Sequence, residues 1–252
     1  MKPKKISLSI PALLALWILV FTVGLPRVWA KPRIVLYAAH GGSDSGVKAG
    51  SEVEKEWNLK VTKILQQTFE SAGFEVVMVR KKDEALSTET WTNLVNTSDA
   101  LLAIVIHSER DWTGRMTGPL FVVEPPTRTD NPVNQDIQRW GMTSLAQYHA
   151  SLRLAKAIAS KLGVSGELSN LSDSRGITGE MLSPEGRIWC MPHQDLRFLI
   201  IPSIVLTPLF LTSSADLKKF STNDGLQAFA NGTVQGTMDF LQMPTPVPTV
   251  GR

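Results

Sequence analysis

The chain has a single cysteine, Cys190, in 252 residues. That excludes an intrachain disulfide and a thiolate-rich metal centre, and leaves Cys190 as a half-buried thiol packed beside Trp189. An excess of one charge is also missing once the first 30 residues are set aside. Lys2, Lys4, Lys5 and Arg27 account for four of the 26 basic residues, so 31–252 carry 22 basic against 23 acidic residues. A balance this close to neutral leaves no electrostatic footprint for nucleic acid. Internal repeats and low-complexity tracts are absent. So are the phosphate-cradling spacings GxGxxG and GxxxxGK[ST]: "HGGSDSG" is rich in glycine, but it lies about ten residues ahead of the next helical pattern instead of opening it.

An uncharged run stands near the start of the chain, residues 6–25. "MKPKK" before it is a basic n-region, "PALLALWILVFTVGL" is an apolar h-region, and "VWA" ends at Ala30, the small residue a signal peptidase needs. Residues 1–30 are therefore expected to be a signal peptide and the protein to be exported. At ~20 residues the run is also long enough for an uncleaved anchor. Because "RIVLYAA" begins at Arg33, an anchor would leave almost no linker, so cleavage is the favoured expectation. Membrane contact, if any, then runs through the leader alone.

What is present is an alternation of two periodicities. Apolar, β-branched runs at 33–38, 74–79, 101–106, 118–123 and 202–206 read as strands covered on both faces. Between them, residues 52–72 place Val53, Trp57, Val61, Ile64, Leu65 and Phe69 at three- and four-residue spacings before Gly73. Residues 143–162 do the same with Leu145, Leu152, Ala155 and Ile158 before Gly163. A threonine-rich helix is expected over 86–97, and Leu226, Phe229, Ala230, Val234, Met238 and Leu241 mark a closing amphipathic helix. This order predicts a single α/β domain over 31–242, with a mostly parallel twisted sheet flanked by helices. Residues 124–142 and 164–198 read as long connections, and 243–252 as a proline-rich mobile tail.

Two of the four histidines, His40 and His107, directly follow the first and third strand runs. In an open parallel sheet the C-terminal strand ends share one edge, where ligands bind. A histidine at a strand end is commonly a hydrogen-bonded rim residue. Two at equivalent ends, with a carboxylate in reach, form the donor set that zinc favours in catalytic sites. Glu54 is the nearby acid. It also fits a capping box with Ser51, in which the glutamate bonds back to the N-cap amide, and spacing alone does not separate cap from ligand.

"IVLYAAHGGSDSG", "EKEWNL", "GFEVVMVRKKD", "DALLAIVIHSE" and "IPSIVLTPLFLTSSADLKKF" together resemble, in order and spacing over about 32–242, the zinc-dependent N-acetylmuramoyl-L-alanine amidases. These bacterial enzymes cut peptidoglycan between the lactyl group of muramic acid and the stem peptide. The resemblance implies zinc ligands at His40, Glu54 and His107, with a fourth position for water whose pKa the metal lowers. It implies structural roles for Arg80 and Asp83, in a segment similar to the family's T-R-x-x-D. It further implies peptidoglycan stem peptide and glycan as partners, and a periplasmic or extracellular place in the cell envelope.

One motif departs from the family. The family reads P-A-V-L-V-E-x-G-F-L-S-N where this chain has "PSIVLTPLFLTS", which puts Thr207 in place of the glutamate that relays protons and Leu209 in place of the glycine. Threonine is too weak a base for that task, and general acid–base assistance is worth roughly 10²–10⁴ in rate. Glu109, Glu180 and Glu185 are the candidate substitutes, each also readable as a solvated loop acid. His193 in "CMPHQD" serves only if its loop folds back, and a rim histidine is the simpler expectation. Two functions follow: a zinc amidase with an atypical base, or a degenerate amidase domain that binds zinc and peptidoglycan peptides without efficient cleavage. Hydrolysis of a different amide or ester is a third.

Overall fold

The computed structural model describes residues 30–113, 115–126, 144–164, 168–170 and 187–243. Residues 1–29, expected to form the leader, the residues beyond 243, and Glu180 and Glu185 lie outside the described residues. A seven-stranded sheet runs through the molecule in the order β4-β1-β5-β9-β6-β8-β7. Its strands are β1 (Arg33–Ala38), β4 (Glu75–Met78), β5 (Ala103–Ile106), β6 (Leu120–Val123), β7 (Leu168–Asn170), β8 (Ile188–Cys190) and β9 (Ser203–Thr207). β2 (Lys48–Ala49) and β3 (Glu52–Val53) form a separate antiparallel ribbon.

The expected five strands are all present, and the sheet is mostly parallel. The one antiparallel pairing is β6 with β9, which opposes Leu120 to Thr207 and Val122 to Val205. β7 and β8 fall inside a stretch expected to be a long connection. At three residues each they are too short to display a period.

Helices cover both faces. On one face, α1 (Glu54–Ser71), α3 (Leu145–Lys161) and α5 (Asn223–Phe240) bury Leu65, Phe69, Leu154, Ile158 and Phe229 against Ile34, Leu36, Ile104, Ile106 and Leu206. On the other, Val35, Tyr37, Val105 and Val205 meet Trp91 of α2 (Thr88–Asn96) and Leu196 and Leu199 of a turn. Strand residues of alternate parity supply the two faces, as a sheet buried on both sides requires. A short helix, α4 (Ser214–Phe220), precedes α5 and is capped by Ser213 accepting from the Asp216 amide. No described helix is long and apolar enough to cross a membrane.

Candidate metal centre

β1 and β5 are adjacent and parallel, with Ala38 opposite Ile106. His40 and His107 therefore leave the sheet at one edge, their rings 5.1 Å apart between centroids and nearly perpendicular. The connection after His40 folds back through Gly41, which bridges Asp44, and then through the β2–β3 ribbon. This route delivers Glu54 between the two imidazoles at the first residue of α1.

The capping-box alternative is overturned. The N-cap is Val53, which makes no side-chain cap, and the Ser51 hydroxyl bonds Glu52 Oε1 at 3.3 Å. The ribbon brings an extended chain straight into the helix, with the Glu54 amide already donating to the Val47 carbonyl. That frees the Glu54 side chain to turn inward, where it is only 1% exposed.

Glu54 Oε1 lies 2.8 Å from His107 Nδ1, and Oε2 lies 3.4 Å from His40 Nε2. Oε2 also accepts from the Val47 amide at 2.8 Å, and Oε1 from Asn58 Nδ2 at 3.3 Å. The outward nitrogens are held by two more acids, which sequence reasoning missed. His40 Nδ1 is 2.8 Å from Asp44 Oδ2, and His107 Nε2 is 2.7 Å from Asp195 Oδ2. Asp44 stands within the quoted "HGGSDSG", and Asp195 two residues beyond His193, so the signal lay in segments already singled out. Only the fold shows which acid meets which ring.

Charge follows from this enclosure. Burial opposes a charged His107, but its hydrogen bonds to Asp195 and Glu54 outweigh that and push it up to about 10. Burial works against the Glu54 carboxylate too, yet the bonds from His107 and His40 hold it well below the usual range. His40 is raised in the same sense, its burial outweighed by Glu54 and Asp44. A cluster whose carboxylates hold protons on buried imidazoles is one that stabilises positive charge.

Two close approaches tie the loop to this centre. His40 sits at φ 62°, sparsely populated for a residue with a side chain. Gly46 sits at φ 61°, and a Cβ there would lie 2.5 Å from Glu54 Oε2 and 2.7 Å from His40 Cδ2, so only glycine fits.

The donor set passes the test for a divalent cation. His40, Glu54 and His107 offer ligand atoms all within 4.8 Å of one another, and the facing nitrogens are the ones not held by aspartates. His107, His193 and Asp195 form a second convergent set within the same limit. There His193 Nδ1 already accepts from the Asp195 amide at 3.2 Å and His107 Nε2 is engaged by Asp195, so the first set is the better cation site.

His193 is half-buried at the cavity edge. Its loop does fold back, bringing the ring to 5.2 Å from that of His107, while its amide donates to Glu124 Oε2. Burial and the neighbouring His107 charge push it down to about 4. Thr207 is the last residue of β9, 1% exposed, with Oγ1 unpartnered among the described residues. Glu109 lies beside it, its amide donating to the Leu209 carbonyl, and lines one cavity together with Thr207 and His193. Burial raises the Glu109 carboxyl.

Arg80 and Asp83 are built into the scaffold. Arg80, 1% exposed, donates to the carbonyls of Ala38, Ala39, Lys55 and Lys82. Asp83 accepts from the Gly42 amide and pairs with Lys55 at 2.7 Å.

Sequence and fold comparisons agree. The profile of the N-acetylmuramoyl-L-alanine amidases matches residues 34–238. The Staphylococcus aureus protein named "Probable cell wall amidase LytH" is 42% identical over 59 residues, which is 22% of this chain and 20% of that one. The match thus spans about a fifth of the curated relatives' length. Among solved structures, an N-acetylmuramoyl-L-alanine amidase from Clostridium difficile 630 is similar in fold at TM-score 0.60 and 22% identity, covering 84% of this chain and 97% of that one. The Clostridioides difficile CwlD amidase, solved with the GerS lipoprotein, gives TM-score 0.62 at 20% identity, with 84% and 99% covered.

Proposed function

The chain belongs to the N-acetylmuramoyl-L-alanine amidase family, and from that we propose that it is an exported zinc amidase acting on cell-envelope peptidoglycan. It hydrolyses the amide between the muramic acid lactyl group and L-alanine, after export directed by residues 1–30. The observation that carries this reading is the convergence of His40 Nε2 and His107 Nδ1 on the two oxygens of Glu54.

Those three residues would hold zinc, which when bound supplies Lewis acidity and makes water nucleophilic near neutral pH. Asp44 and Asp195 fix the tautomer and aim of each imidazole by accepting its outward N–H, as carboxylates behind ligating histidines do. For the proton relay, Thr207 is inadequate. Of the three candidate substitutes, Glu109 is supported by its place in the cavity that Thr207 lines. Its carboxylate accepts the proton from the attacking water and passes it to the departing alanine amine. The second reading, a domain that binds without efficient cleavage, is favoured by the same threonine.

Zinc-loaded protein incubated with purified peptidoglycan is expected to release stem peptides with a free amino-terminal alanine. Glu109→Gln should slow that release roughly 10²–10⁴-fold with zinc content unchanged. No release from zinc-replete protein would favour the binding domain, and release undiminished in Glu109→Gln would remove Glu109 from the relay. Asp195→Asn tests the support of His107: zinc affinity, measured by competition with a chromogenic chelator, should weaken about 10–100-fold. Unchanged affinity would mean that Asp195 does not orient the ring.

A further inference from the structure

Beside the metal centre a cavity of about 350 Å³ spreads over β9, β6 and β8. Thr207, Trp189, Met191, Leu120, Phe210 and Trp112 line it. Strand register explains three of these contributions: Thr207 lies opposite Leu120 in the antiparallel β6–β9 pair, and Val122, two residues along from Leu120, lies beside Trp189 in the parallel β6–β8 pair, so Thr207, Leu120 and Trp189 share one face. Two polar atoms of these lining residues, Thr207 Oγ1 and Trp189 Nε1, are buried without a partner among the described residues. Native proteins seldom leave such groups unmatched, since the desolvation is not repaid. At the mouth, Trp112 is 81% exposed, with the Arg110 guanidinium 3.9 Å above its ring.

We propose that this cavity is the glycan subsite and holds an N-acetylated hexosamine of the peptidoglycan strand. The assignment rests on the amidase reading and adds to it the direction in which substrate lies. Trp189 Nε1–H donates to the acetamido carbonyl, and the Thr207 hydroxyl exchanges hydrogen bonds with sugar oxygens. Met191, Leu120 and Phe210 cover the acetamido methyl, and Trp112 packs against the C–H face of a neighbouring sugar. Apolar walls with a few placed polar groups are the usual makeup of a small-molecule site, and aromatic side chains supply both.

Polarity distinguishes sugar from peptide here. Stem peptides carry carboxylates, whereas this cavity presents Glu109 and Asp111, and its cation Arg110 is occupied with Trp112. Across the histidine pair lies a more polar cavity of about 210 Å³, lined by Arg197, Gln194 and Thr88 together with Asp44 and Asp195, whose carboxylates are paired with His40 and His107, and that polar side is left for the peptide. A threonine in place of a family carboxylate thus gives the glycan side a hydroxyl that can both donate and accept hydrogen bonds.

The test uses the zinc-loaded full chain and peptide-free N-acetylchitotetraose, with binding followed by calorimetry and by saturation transfer from protein to ligand. Binding is expected, with the acetamido methyls receiving the strongest transfer. Thr207→Val and Trp189→Phe should each weaken it about fivefold, the loss of one net hydrogen bond. The de-N-acetylated tetramer should bind at least about tenfold more weakly. No detectable binding at millimolar tetraose, or affinity unaltered in both variants, overturns the assignment. If a variant fails to fold, the methyl transfer pattern on the unmodified protein decides: transfer to ring protons with none to the acetamido methyls also overturns it. Tetraose binding without release of stem peptide would leave the subsite standing and remove the amidase reading. Release without tetraose binding would do the reverse.

Discussion

Replacing His107 by alanine is expected to abolish stoichiometric zinc and, with it, the release of alanine-terminated peptide. His107 is 4% exposed and joins Glu54 on one side to Asp195 on the other. Removing it takes away one of the three proposed ligands and leaves two buried carboxylates, those of Glu54 and Asp195, without the imidazole between them. Affinity should fall by more than the 10–100-fold that loss of a supporting residue costs, that is, beyond about a hundredfold. Because unpaired buried charge also destabilises the fold, His40→Ala provides a companion. His40 is more exposed than His107 and lies at the start of the loop that follows β1, so its removal costs less packing. Elemental analysis after dialysis gives the readout. Either variant, folded by circular dichroism, that keeps one zinc per chain would show that the ligand set is wrong.

This centre was partly legible in the sequence. His40 and His107 follow β-branched runs, and a parallel register between those runs brings their ends together. Glu54 was ambiguous because a glutamate near a helix start serves equally as cap or as inward ligand. The difference is made by the β2–β3 ribbon, whose two-residue strands carry no periodic signal. Asp195 was missed for a topological reason: 88 residues separate it from His107, and it arrives on a turn of the opposite sheet face.

Local pattern likewise reports that a run is a strand, and does not report its direction. The reversal of β6 against β9 is set by the connections from β5 to β6 and from β8 to β9, on which the periodicity of the strand runs is silent. That reversal is what sets Leu120 against Thr207 and creates the walls of the second cavity. The threonine that looked like a defect at the tip of a strand is, in the folded chain, a buried hydroxyl facing the same space as Trp189.

Replacing Arg80 by leucine is expected to cost about 3–5 kcal/mol of stability and to lower Tm by roughly 10 °C. Arg80 is among the largest fully buried side chains, and its guanidinium donates at 2.6 Å to the Ala38 carbonyl, 2.7 Å to Lys55, 3.1 Å to Lys82 and 3.3 Å to Ala39. Leucine fills much of the volume but gives no donor, so carbonyls of β1, α1 and the 80–83 turn lose their partner. Lysine, a single point donor on a flexible stem, cannot span the same carbonyls, so Arg80→Lys should recover less than half of the loss. The effect reaches the centre because Ala38 and Ala39 immediately precede His40, whose positive φ is maintained only if the chain before it is fixed. Arg80→Leu is therefore expected to weaken zinc binding although Arg80 touches no ligand atom. Thermal unfolding of the zinc-free protein isolates the scaffold effect from the stabilisation that a bound ion adds by mass action. A Tm within about 2 °C of the unmodified protein would show that the four carbonyls find other partners, and that the turn carrying His40 holds its shape without the arginine.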